Sequence, residues 1–317
     1  MITPRPFTVT RRHARGHREG AAGPESETGK ARVMLRTRIT ADYGLELPIV
    51  SAGMAFVGTP TLVAAVSNAG GMGTLGAALA PSDGLRRLIR AVRAQTARAF
   101  AVDFITDCVE EEHIDVCLEE RVPVVVFFWS LPDATCVRRL RANGTRVWMQ
   151  IGSVAEATAA AEAGADAVVV QGGEAGGHNG SFATTFDLVP AIVDAIAPVP
   201  VIAACGIVDG RGIAAGLALG AEAIWCGTRC LTRPEAGALD LNGARALRAS
   251  VTETVRKTLF APDWPERPLK PPGRNRPSAP DLRGPHDLVR GMAEEAAEVI
   301  RGRLRAMLPT AASDVTD

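Results

Sequence analysis

Short runs that are apolar throughout alternate along most of the chain with longer stretches whose apolar residues recur at helical spacing. The first kind marks strands buried on both faces, the second amphipathic helices. The runs lie at Leu47 to Ala52, Gly73 to Gly76, Ala99 to Phe104, Val122 to Phe128, Arg146 to Ile151, Ala167 to Gln171, Val199 to Ala204 and Ala223 to Gly227, which predicts eight strands. Between them helices are expected over Pro60 to Ala69, Ser82 to Thr96, Cys108 to Glu120, Asp133 to Ala142, Val154 to Ala163, Leu188 to Ala197 and Gly210 to Leu219. Ser82 and Asp133 are placed to cap helix N-termini, and Ser153 with Glu156 has capping-box spacing. Gly144, Gly164 and Gly220 fall where helices should stop.

Eight such units close naturally into an α/β (β/α)8 TIM barrel, with its active site at the C-terminal ends of the strands. The second unit carries the weakest signal, because Gly71 to Gly76 is short and rich in glycine. An open doubly wound sheet is the alternative. It fits less well, since no G-x-G-x-x-G follows the first strand and Gly70 to Gly73 comes after a helix.

Both ends of the chain break the alternation. Met1 to Val33 is rich in arginine, glycine and proline and has no apolar stretch that could serve a secretory signal, so 1–33 is expected to be a disordered extension to a barrel over 34–260. Met34, at the edge of that barrel, is an expected translation start. Trp264 to Pro280 is rich in proline and arginine and should form an irregular strap, and His286 to Leu308 an amphipathic helix, so that 261–317 would pack on the barrel as strap plus helix.

Composition narrows the class. A chain of 317 residues that is 47% hydrophobic, 22% charged and 4% aromatic suits a barrel with closely packed helices. With 35 basic and 35 acidic residues the net charge is zero, so the general basic footprint of a nucleic-acid partner is missing. The longest apolar run, Val122 to Trp129, is too short to cross a bilayer, and no membrane partner is expected. The six cysteines show neither C-x-x-C pairs nor zinc spacing. No metal site is expected from them, and free thiols suit a reducing cytoplasm.

In a barrel the C-terminal strand ends form one ring: Gly53 with Met54, Gly76, Asp103, Trp129, Gln150, Gln171 with its loop to Gly180, Cys205 with Gly206, and Gly227 with Thr228. The sixth loop, Q-G-G-E-A-G-G-H-N-G, holds five glycines, one carboxylate and one imidazole. Glycines let backbone amides approach a ligand, and His178 is the nearby side chain whose ordinary pKa suits proton transfer near neutrality. Loops seven and eight, Cys205 to Gly210 and Cys226 to Arg229, are where barrels commonly seat a phosphate, although glycines there also permit tight turns.

The runs P-I-V-S-A-G-M (Pro48 to Met54), A-A-V-S-N-A-G-G-M-G-T-L-G (Ala64 to Gly76), the sixth loop, and the series from Gly206 to Arg229 resemble the nitronate monooxygenase family, formerly 2-nitropropane dioxygenases. The resemblance spans about Leu35 to Glu235. The wider family includes flavin-dependent enoyl-acyl-carrier-protein reductases and NADH:quinone reductases, all similar in holding FMN in a TIM barrel. It implies an enzyme with FMN as cofactor, a nitronate or other small electron-poor substrate, and O2. His178 becomes the catalytic residue, with Asp103 as a candidate added acid or base. Ala52, Gly53, Met54, Gln150, Gln171, Gly172, Gly176, Gly177, Cys205, Gly206, Gly227 and Thr228 are implied to surround the cofactor. An NAD(P)H-dependent reductase of enoyl thioesters or quinones is the alternative, and a flavin-binding barrel without catalysis a third. A homodimer is compatible with all three.

Three departures from the family pattern mark this chain. Asp103 stands where Asn is usual, and an ionised carboxylate there would disfavour an anionic reduced flavin or a nitronate unless protonated or paired; it could instead cap the next helix. Trp129 stands where smaller residues are common, either narrowing the pocket or filling core. Cys205 replaces a common glycine, and no histidine is near it in sequence to activate its thiol.

Overall fold

The computed structural model describes residues 33–55, 57–77, 80–175, 177–178, 181, 183–231, 269–270 and 284–307. The strands are β1 (Ile49–Ser51), β2 (Gly73–Gly76), β3 (Phe100–Ile105), β4 (Val124–Phe128), β5 (Arg146–Ile151), β6 (Ala167–Gln171), β7 (Gly177–His178), β8 (Val201–Ala204), β9 (Ala223–Cys226) and β10 (Leu269–Lys270). Eight of them run parallel in the order β1-β9-β8-β6-β5-β4-β3-β2, while β7 and β10 form a separate antiparallel pair. The helices are α1 (Arg38–Tyr43), α2 (Pro60–Asn68), α3 (Ser82–Arg93), α4 (Glu111–Glu119), α5 (Ala134–Ala142), α6 (Val154–Glu162), α7 (Thr185–Ile196), α8 (Gly210–Ala218), α9 (Thr228–Leu231) and a C-terminal helix (Pro285–Glu298). The architecture is the expected TIM barrel.

The barrel closes between β1 and β2 through a single parallel bridge, Val50 to Met72. Ser51 N–H donates to the Met72 carbonyl (3.0 Å), and Met72 N–H to that of Ile49 (2.9 Å). One step further the strands diverge, and the Ser51 hydroxyl accepts the Thr74 N–H at 3.0 Å in place of a carbonyl. The glycines that weakened this strand's signal serve close packing: a Cβ at Gly73 would fall 2.1 Å from the Val63 carbonyl oxygen on α2.

Strand alternation sorts the core into two layers. Residues such as Leu75, Phe100, Val102, Val125, Phe127, Val147 and Ile224 face the helices. Val50, Met72, Ala101, Val126, Trp148, Val169, Ile202, Ala204 and Trp225 fill the barrel interior. The Trp148 and Trp225 rings, with centroids 6.5 Å apart, take the bulk there, while alanines make room for them. The interior is therefore solid, and a ligand must lie above it, at the strand ends.

Local signals were partly as expected. Asp133 accepts the Thr135 and Cys136 N–H groups, and Ser153 accepts that of Glu156. Glu156 reaches back to Gly152 N–H at 2.7 Å rather than to Ser153. Gly144, Gly164 and Gly220 take φ of 82°, 94° and 95°, the left-handed stop that favours glycine. Ser82 does not cap α3: Pro81 holds that position without a side-chain bond, because its fixed φ already suits the helix entry. Cys108, expected to open α4, instead ends a separate 3-10 turn over Thr106–Cys108, and α4 starts at Glu111. Helix α7 starts earlier than expected, because Thr184 caps Asp187 N–H. Helix α1 was not anticipated; Tyr43, at its end, accepts the Trp148 indole N–H at 2.7 Å from inside the barrel.

The C-terminal helix packs on α2 and α8, close enough that a Cβ at Gly210 would meet Ala296 N at 2.3 Å. It continues as a π-helix over Val299–Leu304. The expected disorder of 1–33 and most of the strap lie outside the described residues, apart from Val33 and Leu269–Lys270. Among the described residues, no helix is long and apolar enough to cross a membrane.

Candidate active site

The ring of strand ends is built as alternation requires. Asp103 pairs with Gly76 on β2 and Val126 on β4, and its parity is that of Ala101, which faces the interior. Its side chain lies against the end of β1: a Cβ built on Gly53 would fall 2.3 Å from both Asp103 Cβ and Oδ2. Asp103 is 4% exposed, and its Oδ1 has no hydrogen-bond partner. Burial alone pushes this carboxyl well above the usual carboxylate range. It does not cap the following 3-10 turn, which has no side-chain cap bond. An uncompensated buried polar atom costs about 1–3 kcal/mol and calls for a ligand or ordered water.

At the sixth strand end the loop folds back on α7. The Glu174 carboxylate accepts the Thr185 N–H (3.1 and 2.9 Å) and the Thr185 hydroxyl (2.9 Å), closing the helix N-terminus. Gly172 sits under this clamp, where a Cβ would fall 2.2 Å from Thr185 Oγ1. The loop's one carboxylate is thus structural. Beyond it, β7 pairs with β10, setting His178 opposite Leu269 and Gly177 opposite Lys270. Chain from beyond the barrel thereby reaches the histidine's own backbone. Gly176 lies outside the described residues.

Loop seven turns on two consecutive left-handed residues, Cys205 (φ 89°) and Gly206 (φ 71°). A non-glycine residue there stores about 1–3 kcal/mol of strain, a common mark of functional sites. Trp129, at the end of β4, is also left-handed (φ 81°) and only partly buried, so it is not core filling. The N-terminal amides of α8 are already taken: Asp209 accepts Gly212 N–H at 2.9 Å and Glu295 accepts Gly210 N–H at 2.8 Å. Two carboxylates at that helix end leave no place for a phosphate. At loop eight Gly227 faces Ala52 Cβ and Met54 Sδ at ordinary contact distances (3.6 and 3.9 Å from a built Cβ). Cys226 points the other way, and its thiol donates to the Ile207 carbonyl (3.7 Å). Burial pushes its pKa far up, so it is no nucleophile.

The structure thus brings Ala52, Gly53, Met54, Asp103 and Gly227 into contact, and sets Gln150 at the end of β5 and Gln171 and Gly172 at the end of β6. One polar residue escaped the sequence reading. Thr74, inside G-T-L-G, is fully buried with an unpartnered Oγ1, and shares the inward parity of Met72. That parity was its available signal.

A sequence profile described as nitronate monooxygenase matches residues 36–112 and 104–267. The chain belongs to the nitronate monooxygenase family. A probable nitronate monooxygenase of Staphylococcus aureus (strain JH9) is 35% identical over 271 residues, covering 71% of this chain and 76% of that one. Among solved structures, FabK from Thermotoga maritima superposes with a TM-score of 0.76 at 32% identity, covering 87% of this chain and 100% of that chain. Nitroalkane oxidase from Streptomyces ansochromogenes does so with a TM-score of 0.71 at 27% identity, covering 84% and 99%. As a member of the nitronate monooxygenase family the chain is a flavin-dependent oxidoreductase. Its residues fit a flavin: glycine-lined strand ends where side chains would intrude, the Met54 thioether beside Gly227, and a buried acid lacking a partner.

Proposed function

We propose that the protein is an FMN-dependent nitronate monooxygenase, a cytoplasmic enzyme acting on a small nitronate or nitroalkane with O2. The observation that carries this reading is the set of glycines at the strand ends, Gly53, Gly172 and Gly227, with Met54 among them, beside a loop whose histidine backbone is pinned by β10. Ala52 to Met54 and Gln150 would border the flavin ring, Gln171, Gly172, Gly176 and Gly177 its flank. The backbone amides of Cys205, Gly206, Gly227 and Thr228 would take the phosphate, since those of α8 are committed to carboxylates.

When bound, FMN supplies the oxidation of the nitronate and the return of electrons to O2. His178 removes the acidic proton α to the nitro group of a neutral nitroalkane, its imidazole holding that proton, or orients the oxygens of a pre-formed nitronate. Trp129 narrows the mouth and helps exclude water.

Purified protein should be yellow and release FMN on denaturation. Oxygen uptake with a nitronate and no NADH supports the monooxygenase. Rapid anaerobic bleaching by NADH instead supports the second reading, a reductase of enoyl thioesters or quinones, which the likeness to FabK favours. Colourless protein that refuses added FMN sinks both.

A further inference from the structure

The chain contains a single tyrosine and four tryptophans, and the tyrosine and two of the tryptophans stand in one line through the barrel. Trp225 is opposite Ala204, the last residue of β8, so it lies at the end of the interior nearest the site. Trp148 is opposite Ala167, the first residue of β6, and so lies toward the other end. Their ring centroids are 6.5 Å apart. The Tyr43 ring, which precedes β1, meets Trp148 edge-on at 5.1 Å, and its hydroxyl accepts the indole N–H at 2.7 Å. Met54 and Cys205, at the strand ends, pack on the same interior layer, in which no other described member carries an aromatic ring.

This solid interior admits no ligand, but an electron crosses packed side chains without a channel. Its transfer weakens exponentially with distance, so rings in near contact carry it in short steps where one long step fails. Indole and phenol are the aromatic side chains that give up one electron most readily. Burial pushes the pKa of Tyr43 up to about 12, so at neutrality the phenol keeps its proton and must release it on oxidation. Tyr43 is only half-buried, where water can take that proton.

Resting on the flavin-enzyme reading above, we propose that Trp225, Trp148 and Tyr43 form a relay that drains one-electron oxidants from the site to the far end of the barrel. An oxidant at the site, an oxygen-derived radical or light-excited flavin, gains one electron from Trp225. Trp148 refills Trp225, and Tyr43 refills Trp148. The Tyr43 O–H bond breaks, its proton passes to water and a neutral phenoxyl remains. A soluble thiol reduces that phenoxyl by returning one electron and one proton, and both indoles end unchanged. The relay thereby spares the Met54 thioether and the Cys205 thiol, the oxidisable groups packed between it and the site.

Because Tyr43 is the only tyrosine, a phenoxyl signal can arise at no other residue of the chain. Flash photolysis of the purified holoprotein, with radicals assigned by rapid-freeze electron paramagnetic resonance, should show a tryptophan radical that gives way to the Tyr43 phenoxyl. Trp148→Phe, which keeps a ring but not an oxidisable one, should lose most of that phenoxyl. Tyr43→Phe, which removes one hydroxyl, should leave the radical on tryptophan. Both variants should begin turnover at the wild-type rate, yet lose activity several-fold faster under light and air with thiol present, as Met54 sulfoxide accumulates by mass spectrometry. A wild type that forms no phenoxyl overturns the proposal, as does an equal yield in Trp148→Phe. Equal Met54 oxidation in Tyr43→Phe and wild type overturns it without recourse to a core variant. Ultraviolet ionisation of tryptophan supplies the starting radical without a flavin. Colourless protein that then forms the Tyr43 phenoxyl sinks the flavin reading alone, and yellow protein that forms none by either route sinks the relay alone.

Discussion

The Glu295 carboxylate of the C-terminal helix accepts the Gly210 N–H, the first amide of α8, at 2.8 Å. Through this bond a helix about 85 residues further along the chain closes the end of loop seven. Arg211 approaches the same carboxylate at 3.8 Å, an exposed pair of little weight beside the cap. Glu295→Ala should lower stability by about 1 kcal/mol, the usual loss for a helix cap. Glu295→Gln should recover at least half of it, because an acceptor remains. Urea melts followed by circular dichroism measure both, and an unchanged midpoint for Glu295→Ala would show the cap to be idle.

Glu174 holds the sixth loop by three acceptor contacts to Thr185. Glu174→Ala leaves the Thr185 N–H without its acceptor and the Thr185 hydroxyl with the Ala204 carbonyl at 3.2 Å, and should free the loop that carries His178. The expected result is a loss of kcat/KM of about tenfold or more, following from a misplaced group of about 1 Å. Faster proteolytic nicking within 172–184 should accompany it. Thr185→Val, which keeps the backbone N–H, should show a smaller loss, and equal losses would assign the hold to the hydroxyl alone.

Asp103 predicts an unusual pH dependence of stability. Its folded pKa is raised above the unfolded value of about 3.9, so its contribution is complete below that value and is lost as pH rises toward the folded pKa. Across that window wild-type protein should lose about 1.4 kcal/mol per pH unit relative to Asp103→Asn, which binds no proton there. Thermal melts of the two proteins at matched pH test this, and parallel curves would mean that Asp103 finds a cation or water that keeps it ionised.

These residues also show how far the sequence could be read. The barrel was legible because strands buried on both faces are apolar at every position, as VVVFF in β4 is, and helix ends carry local marks such as Asp133 and Gly164. Helix α1 was not, since its six residues are too few for a periodicity and Tyr43 meets Trp148 only after 105 residues of chain. At the site, the ends of the apolar runs located Gly53, Asp103 and Gln150, but no such position reveals the partner of a loop residue. Glu174 in a glycine loop reads as free chemistry until Thr185 is seen beneath it. Cys205 was expected to border the cofactor in place of a common glycine, and its φ of 89° shows why glycine suits that position, which composition alone does not reveal.

Gly53 and Asp103 supply the sharpest test of the site's geometry, because they occupy the same space. A methyl group at position 53 would lie 2.3 Å from Asp103 Cβ as well as from Oδ2, so the obstruction begins at the first side-chain atom. Gly53→Ala alone should cost about 1–3 kcal/mol by overpacking and displace the β1 end that borders the flavin. Asp103→Ala should not rescue it, since Cβ stays, while Asp103→Gly should restore most of the loss. The coupling energy of the Gly53→Ala and Asp103→Gly cycle should therefore exceed about 1 kcal/mol, in the range of residues in contact. The paired variant should also regain the flavin content that Gly53→Ala loses. Additive effects in that cycle would mean that the two residues do not touch, and that Asp103 points elsewhere.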